Sequence, residues 1–447
     1  MRTLRLLRIG VLALTVGLLL SCGGGGGGAG GSANVGPSAA GQTIGSGLDG
    51  TAGGDTGNGI GGIASDDGSA ATSSAAASGG DDGSGVGSGG TGVSTADATG
   101  VGAVDGAGSI IVNGLRYDTS NATGKVEDAP NGLQLGMSVK VTGPVNTDFT
   151  RGVAHWVESA ADIRGPVASV NFAQSSFVIL GVTVSTDQET VWADAAGLAA
   201  MSPGLTLQVW GLPAAPGVLR ATRIEQRPAS PPILTGTVQT LNPSLRTFTV
   251  GNATIDYSRA VLSGNTAGRP LANGTIVRVR ADAILPGNSL VATLVEWWYP
   301  LPTEDSALAQ FSGVVTDFAG PGSLRVLGFP VDASAAKLTG GPLNAVGNGV
   351  KVEVGGVVSN GVLRASKLKI RNVPGTGGPA SFELIGTVGA FSSPADFRVR
   401  GQPINAAGPG VVFVNGQAAN LANGVRVDIR GSRVIDGVLM ADSVTFE

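Results

Sequence analysis

The sequence predicts an all-β protein: a tandem array of about five small modules behind a long unstructured lead-in. Three observations carry this. A glycine opens the same strand pattern at Gly165, Gly236, Gly313 and Gly386, so these copies begin 71, 77 and 73 residues apart. Self-similarity at a fixed period is the mark of a repeat architecture. Inside each copy, apolar residues alternate at period two, which places one strand face inward. Finally, residues 23–97 are almost entirely Gly, Ala, Ser, Thr and Asp, whereas Val, Leu and Ile take up strand spacing beyond them.

In chain order, the first element is a leader. Arg2, Arg5 and Arg8 precede an apolar run over residues 9–20. A bilayer-spanning helix needs about 20 apolar residues, so this run fits a signal peptide instead. Residues 1–22 end Leu19-Leu20-Ser21-Cys22, which resembles the lipobox of bacterial lipoproteins. That resemblance implies that Cys22 is acylated and becomes the new N-terminus. Several acyl chains make stable anchoring possible. Gly23 after the cysteine implies sorting to the outer membrane. The expected location is therefore exported and lipid-anchored, facing the periplasm or the cell surface, with the membrane as partner through acylated Cys22.

Residues 23–97 form the second element. So polar and small a stretch buries too little apolar area to offset its ordering entropy, and reads as a disordered Gly/Ser-rich linker. As a Gly-rich coil its ends lie roughly 50 Å apart. Residues 23–107 hold eight Asp and no Lys or Arg, while the whole chain is at −4, which leaves the repeats near neutral. Nucleic acid is not an expected partner, because its phosphates need clustered Lys and Arg. The single Cys (Cys22) and single His (His155) exclude an intrachain disulfide, a multi-Cys metal site and a His-pair metal site. No metal or cofactor is expected.

The modules follow at 98–164, 165–228, 234–299, 310–371 and 382–447. In the last four, a second strand closes on Gly181, Gly251, Gly328 and Gly401, and a fourth follows Gly204, Gly274, Gly349 and Gly424. The last strand reads Leu-x-Ala-x-x-apolar, with Ala221, Ala292, Ala365 and Ala441 at its centre. The step from two to three after each Ala predicts a β-bulge, with the Ala pointing inward. Five short strands, with a turn or short helix before the fourth, match the order of an OB-like barrel. Residues 194–201 are the best candidate for that helix. Small SH3-like barrels or sandwiches are the alternative fold. Modules of about 65 residues sit near the lower limit for independent cores, so packing between neighbours is expected to support them.

The first copy is the most divergent. Its residues 108–119 (Gly-Ser-Ile-Ile-Val-Asn-Gly-Leu-Arg-Tyr-Asp-Thr) and 135–143 (Leu-Gly-Met-Ser-Val-Lys-Val-Thr-Gly) resemble the bacterial domain-of-unknown-function family numbered 5666. The resemblance runs from about residue 98 to the C-terminus as about five copies. It implies lipoprotein-anchored β modules and carries no catalytic residue with it.

Candidate sites are few. Trp297-Trp298-Tyr299 is the one aromatic cluster, a possible stacking platform for a sugar or another ring, or else core at a module boundary. His155 stands beside Trp156 without an identifiable acid or nucleophile, which base catalysis requires. Carboxylates such as Asp317, Asp332, Glu353, Asp428 and Asp442 are scattered, with no pair repeated among copies. No catalytic residue is assigned. The expectation is a non-catalytic array of β modules that presents a binding or spacer surface to an unknown protein or glycan. The alternatives are an oligosaccharide- or peptide-binding lipoprotein and a hydrolase with an unrecognised site.

Overall fold

A computed structural model describes residues 93–264, 268–378 and 382–447. The lipobox and nearly all of the linker lie outside these residues. Among them there is no α-helix, only strands and three single turns of 3-10 helix. The protein is all-β and contains five repeated domains.

The fourth repeat shows the plan. Its strands are Leu308–Gly320, Ser323–Val326, Phe329–Asp332, Lys337–Thr339, Lys351–Ser359 and Val362–Asn372. The first three form an antiparallel meander. The third lies parallel to the last, Val331 opposite Leu363. The last pairs antiparallel with Lys351–Ser359, and that strand returns to the first, Phe311 opposite Val354. The pairings therefore close a ring. Alternation explains the inside: Leu324, Val326, Val331, Val352, Val354 and Leu363 are buried. Repeats 2, 3 and 5 close in the same order. Repeat 1 does too, with its last strand split into Arg151–Val153 and Trp156–Ser159.

Two expectations need correction. Each repeat has a sixth strand, Lys337–Thr339 in repeat 4 and Val412–Val414 in repeat 5, parallel to the far half of the last strand. In repeat 2 it is Val191–Trp192, ahead of the segment expected to hold the short helix. The turn or short helix expected over residues 194–201 is the 3-10 turn Leu198–Ala200. The linker expectation also ran too far: the first strand spans Val93–Ala107, with Val93 opposite Asn146.

The bulge is where the sequence places it. Opposite each inward Ala the register slips by one residue, at Gly211/Ala221, Ala281/Ala292, Gly356/Ala365 and Gly431/Ala441. All four alanines are buried. A Cβ at Gly356 would lie 2.1 Å from Arg364 O, so the pinched strands exclude a side chain there.

Repeat 1 is the hub of the array. Its first strand pairs antiparallel with its own Ser138–Asn146. On the opposite edge Thr99–Val101 pairs parallel with Ala309–Phe311 of repeat 4, and beyond the end of Ser138–Asn146 Gly106–Ala107 pairs parallel with Glu383–Leu384 of repeat 5. At the contact with repeat 5 the backbones come close: a Cβ at Gly106 would sit 2.1 Å from Glu383 O, so glycine is required there. Repeats 2 and 3 join through their first strands, Ile163 opposite Leu234. The interiors merge accordingly. One apolar cluster joins repeats 1 and 5, a second joins 2 and 3, and a third fills repeat 4 with Val101, Leu212, Trp298 and Tyr299 added.

Candidate functional site at the repeat junctions

Polar side chains converge where repeats meet. Asp162, between repeats 1 and 2, is fully buried. Its Oδ2 accepts from Ser138 Oγ at 2.6 Å and from Gly211 N at 2.7 Å. Its Oδ1 accepts from Trp298 Nε1 at 2.6 Å, Arg278 Nη2 at 3.0 Å and Thr235 Oγ1 at 3.4 Å. Three repeats thus supply five donors to one carboxylate. Arg278 also pairs with Glu296 at 3.2 Å and lies over the Tyr299 ring. Burial opposes the Arg278 charge, but the Tyr299 oxygen, Asp162 and Glu296 outweigh it and hold the guanidinium above its ordinary value. Burial pushes the Tyr299 hydroxyl up, which keeps it a neutral donor to Ser138 O while it accepts from Ala160 N.

A second junction joins repeats 1, 2 and 4. The guanidinium of Arg371 spans both oxygens of Asp105, at 3.0 and 3.2 Å, and also meets Glu353 and, at 3.6 Å, Glu189. Lys351 Nζ reaches Glu189 at 2.5 Å. All five are buried. Here three carboxylates face two close cations. Burial pushes the Asp105 carboxyl up; Arg371 opposes this and Glu353 adds to it. At a third junction Asp128 accepts from Arg164 at 2.5 Å and from Arg280 at 2.8 Å. Burial opposes its charge, but the two guanidiniums prevail and hold it below the usual carboxylate range.

Of these residues only Trp298 and Tyr299 stood among the sequence's candidate sites, and Glu353 among its scattered carboxylates. In Val277-Arg278-Val279-Arg280 and Lys351-Val352-Glu353-Val354 the charged residues fall on the outward face of a strand. That face normally meets water; here another repeat covers it. The signal lay in the charge content of strands that sequence alone could not show to be covered.

The aromatic cluster divides. Trp298 and Tyr299 are 4% and 3% exposed and are committed to the Asp162 junction, so neither is available as a stacking platform. Consecutive residues face opposite ways, and Trp297 alone of the three is turned outward and only partly buried. It lines a groove of about 590 Å³ between repeats 3 and 4, with Pro270, Leu301, Phe329 and Pro330. His155 occupies the bulge of repeat 1, directly after buried Ala154, and its Nδ1 lies 3.1 Å from Asp97. Both side chains are more than half exposed. Among the scattered carboxylates, Asp317 and Asp442 are exposed, whereas Asp428 meets Glu383 beside Arg116 and Arg430 where repeats 1 and 5 touch. Among the described residues no group of His, Cys, Asp and Glu is arranged to hold a metal. Cys22 with Leu19, Leu20 and Ser21 lies outside them.

A model of the family described as a domain of unknown function, DUF5666, matches the chain five times, over residues 101–158, 164–225, 235–296, 312–369 and 385–445. No curated protein matches it.

Proposed function

The chain belongs to the DUF5666 family, and from that premise we propose that it is a non-catalytic, lipid-anchored block of β modules that displays a binding surface at the cell envelope. Each repeat reads as an OB-like barrel. Its ring of pairings, first to second to third to last to fourth and back, with third and last parallel, supports this. The lipobox supports anchoring through Cys22, with the linker as tether.

One observation carries the non-catalytic reading. The buried ionisable groups that converge, Asp162 with Arg278 and Asp105 with Arg371, are engaged by neighbouring repeats, and among the described residues they line neither the groove beside Trp297 nor the pocket between repeats 1, 2 and 5. His155 and Asp97 pair in the open, where water screens both. The chemistry of this chain is directed at holding repeats together. Labelling cells with an alkyne fatty acid tests the anchor: label on the wild type and none on Cys22→Ser is expected. Equal label on both contradicts it.

The groove beside Trp297 favours a second reading, an oligosaccharide- or peptide-binding face. An outward indole above Pro and Phe walls suits stacking on a sugar ring or an extended chain. Affinity electrophoresis through gels containing soluble polysaccharides tests it. Retardation that is lost in Trp297→Ala and kept in Trp156→Ala is expected; retardation indifferent to Trp297 contradicts it.

A further inference from the structure

A second cavity, of about 320 Å³, lies where repeats 1, 2 and 5 meet. Its floor is aliphatic: Val104, Ala107, Leu133, Leu384 and Val434. Its polar lining is Arg223, Arg398, Arg400, Gln134 and Gln402, with no acidic residue. The β-hairpin at Gly437 closes one side. There Asp436 N donates to Ala195 O at 3.0 Å and Gly437 N to Trp192 O at 2.9 Å.

The three arginines are held in different ways. Arg223 is fixed by Glu225 at 2.6 Å, by Leu135 O at 3.0 Å and by Gln134. Glu225 also serves Arg227, so two cations share one carboxylate. Arg400 donates Nε to Ile385 O at 2.5 Å, and Arg398 donates Nη1 to Gly401 O at 2.9 Å. Among the described residues neither of these two pairs with a carboxylate.

Comparison between repeats shows that this is particular to repeat 5. Arg400 stands at the first position of the turn between second and third strands, with φ of 50°. Repeats 2 and 4 place Leu180 and Leu327 there, both buried. In all three the side-chain stem covers the opening glycine: a Cβ added at Gly165, Gly313 or Gly386 would meet Cγ of Leu180, Leu327 or Arg400 at 3.1, 3.1 or 3.0 Å. Arg400 therefore fills the leucine position with its stem and adds a guanidinium at the pocket. Arg398 differs from its counterpart in the opposite sense. Arg325 of repeat 4 makes the same bond to the turn, Nη1 to Gly328 O at 2.7 Å, but also lies 3.5 Å from Asp317. The residue four beyond the opening glycine is Asp317 in repeat 4 and Ala390 in repeat 5, each with positive φ. Repeat 5 has gained one cation and lost the acid that would neutralise another.

We propose that this pocket binds a small organic anion, a carboxylate on an apolar body. Guanidinium groups pair with carboxylates in a planar, two-bonded geometry. The aliphatic floor suits the body, and the volume lies at the lower end of small-molecule sites. Neutral molecules of the same shape leave the cationic rim unanswered. Inorganic anions leave the floor wet.

Isothermal titration of the full-length chain with sodium hexanoate tests this, with 1-hexanol and inorganic phosphate as the neutral and the floorless probes. Saturable binding of one hexanoate is expected, with hexanol and phosphate at least tenfold weaker. Arg400→Gln should weaken hexanoate at least tenfold. Ala390→Asp, which restores an internal acid for Arg398 and leaves Arg400 in place, should weaken it as well. Arg325→Gln should leave it unchanged. The proposal is overturned by absence of saturable hexanoate binding, by phosphate binding as tight as hexanoate, or by unchanged hexanoate affinity in both pocket variants. Circular dichroism and the thermal midpoint of each variant establish that the loss is not one of folding.

Discussion

The Asp162 and Asp105 junctions bury the same kinds of group and close their charges differently. Asp162 receives five donors, and its two oxygens are shared among three repeats. Asp105 competes with Glu353 and Glu189 for Arg371, and Glu353 Oε2 has no hydrogen-bond partner. An acid whose oxygens are all answered acts as a rivet. An acid in a crowd of acids acts as a rivet only while its charge is tolerated, and burial already pushes Asp105 toward its protonated form. Buried ion pairs are weak evidence of stability in themselves, but removing one partner from a satisfied pair is expensive.

Replacement at the two sites should separate them. Asp162→Asn presents an amide to Gly211 N or to Arg278 and leaves a donor facing a donor; a loss of about 3–5 kcal/mol in urea unfolding is expected. Asp105→Asn removes one of three competing carboxylates and leaves Arg371 with Glu353 and Glu189, so a loss of about 1–3 kcal/mol is expected. Equal losses would erase the distinction.

Inside a single repeat, away from the junctions, Ala441→Phe should overpack the pinch between Gly431 and the last strand and cost about 1–3 kcal/mol. Exposed Asp442→Asn, one residue on, should change stability by less than roughly 0.5 kcal/mol. The full chain is the right sample, because Phe382 and Leu384 of repeat 5 share an apolar cluster with Ala107 and Ile110 of repeat 1.

The smallest effect concerns pH. Burial, and then Glu383, raise Asp428 to about 6, against about 3.9 in an unfolded chain. Between these values the folded state binds more protons than the unfolded, so stability falls as pH rises from about 4 through about 6 and is flat above. Asp428→Asn should flatten that part of the stability–pH curve. The side chain is partly solvated, so screening reduces the amplitude.

The repeat frame was legible because it follows from local rules. The bulge after Ala221, Ala292, Ala365 and Ala441 shows as a break in period two. The turns before Gly181, Gly328 and Gly401 show as closing glycines. Three things were not legible. The sixth strand is only two to four residues long and exists because the last strand offers it an edge. Residues 93–97 look like linker, since Ser, Thr and Ala carry no strand pattern, yet this strand is set by its neighbours. Arg278, Glu353 and Lys351 look solvent-facing, because nothing in a single chain segment states that its polar face will meet another repeat. For the same reason Trp298 and Tyr299 read equally as a platform or as core at a module boundary: their partners Asp162 and Ser138 are more than 130 positions away.

Repeat 1 and the buried junctions should make the five repeats one cooperative block. Hydrogen exchange of the full-length chain across a urea series tests it most directly. The amides of the last strands, Val218–Gln226 in repeat 2, Val362–Asn372 in repeat 4 and Val438–Phe446 in repeat 5, should lose protection at one common urea concentration. In Asp162→Asn all three should shift together to a lower one. Separate midpoints for the repeats, or a shift confined to repeats 1 to 3, would contradict the account and return the chain to five modules that fold on their own.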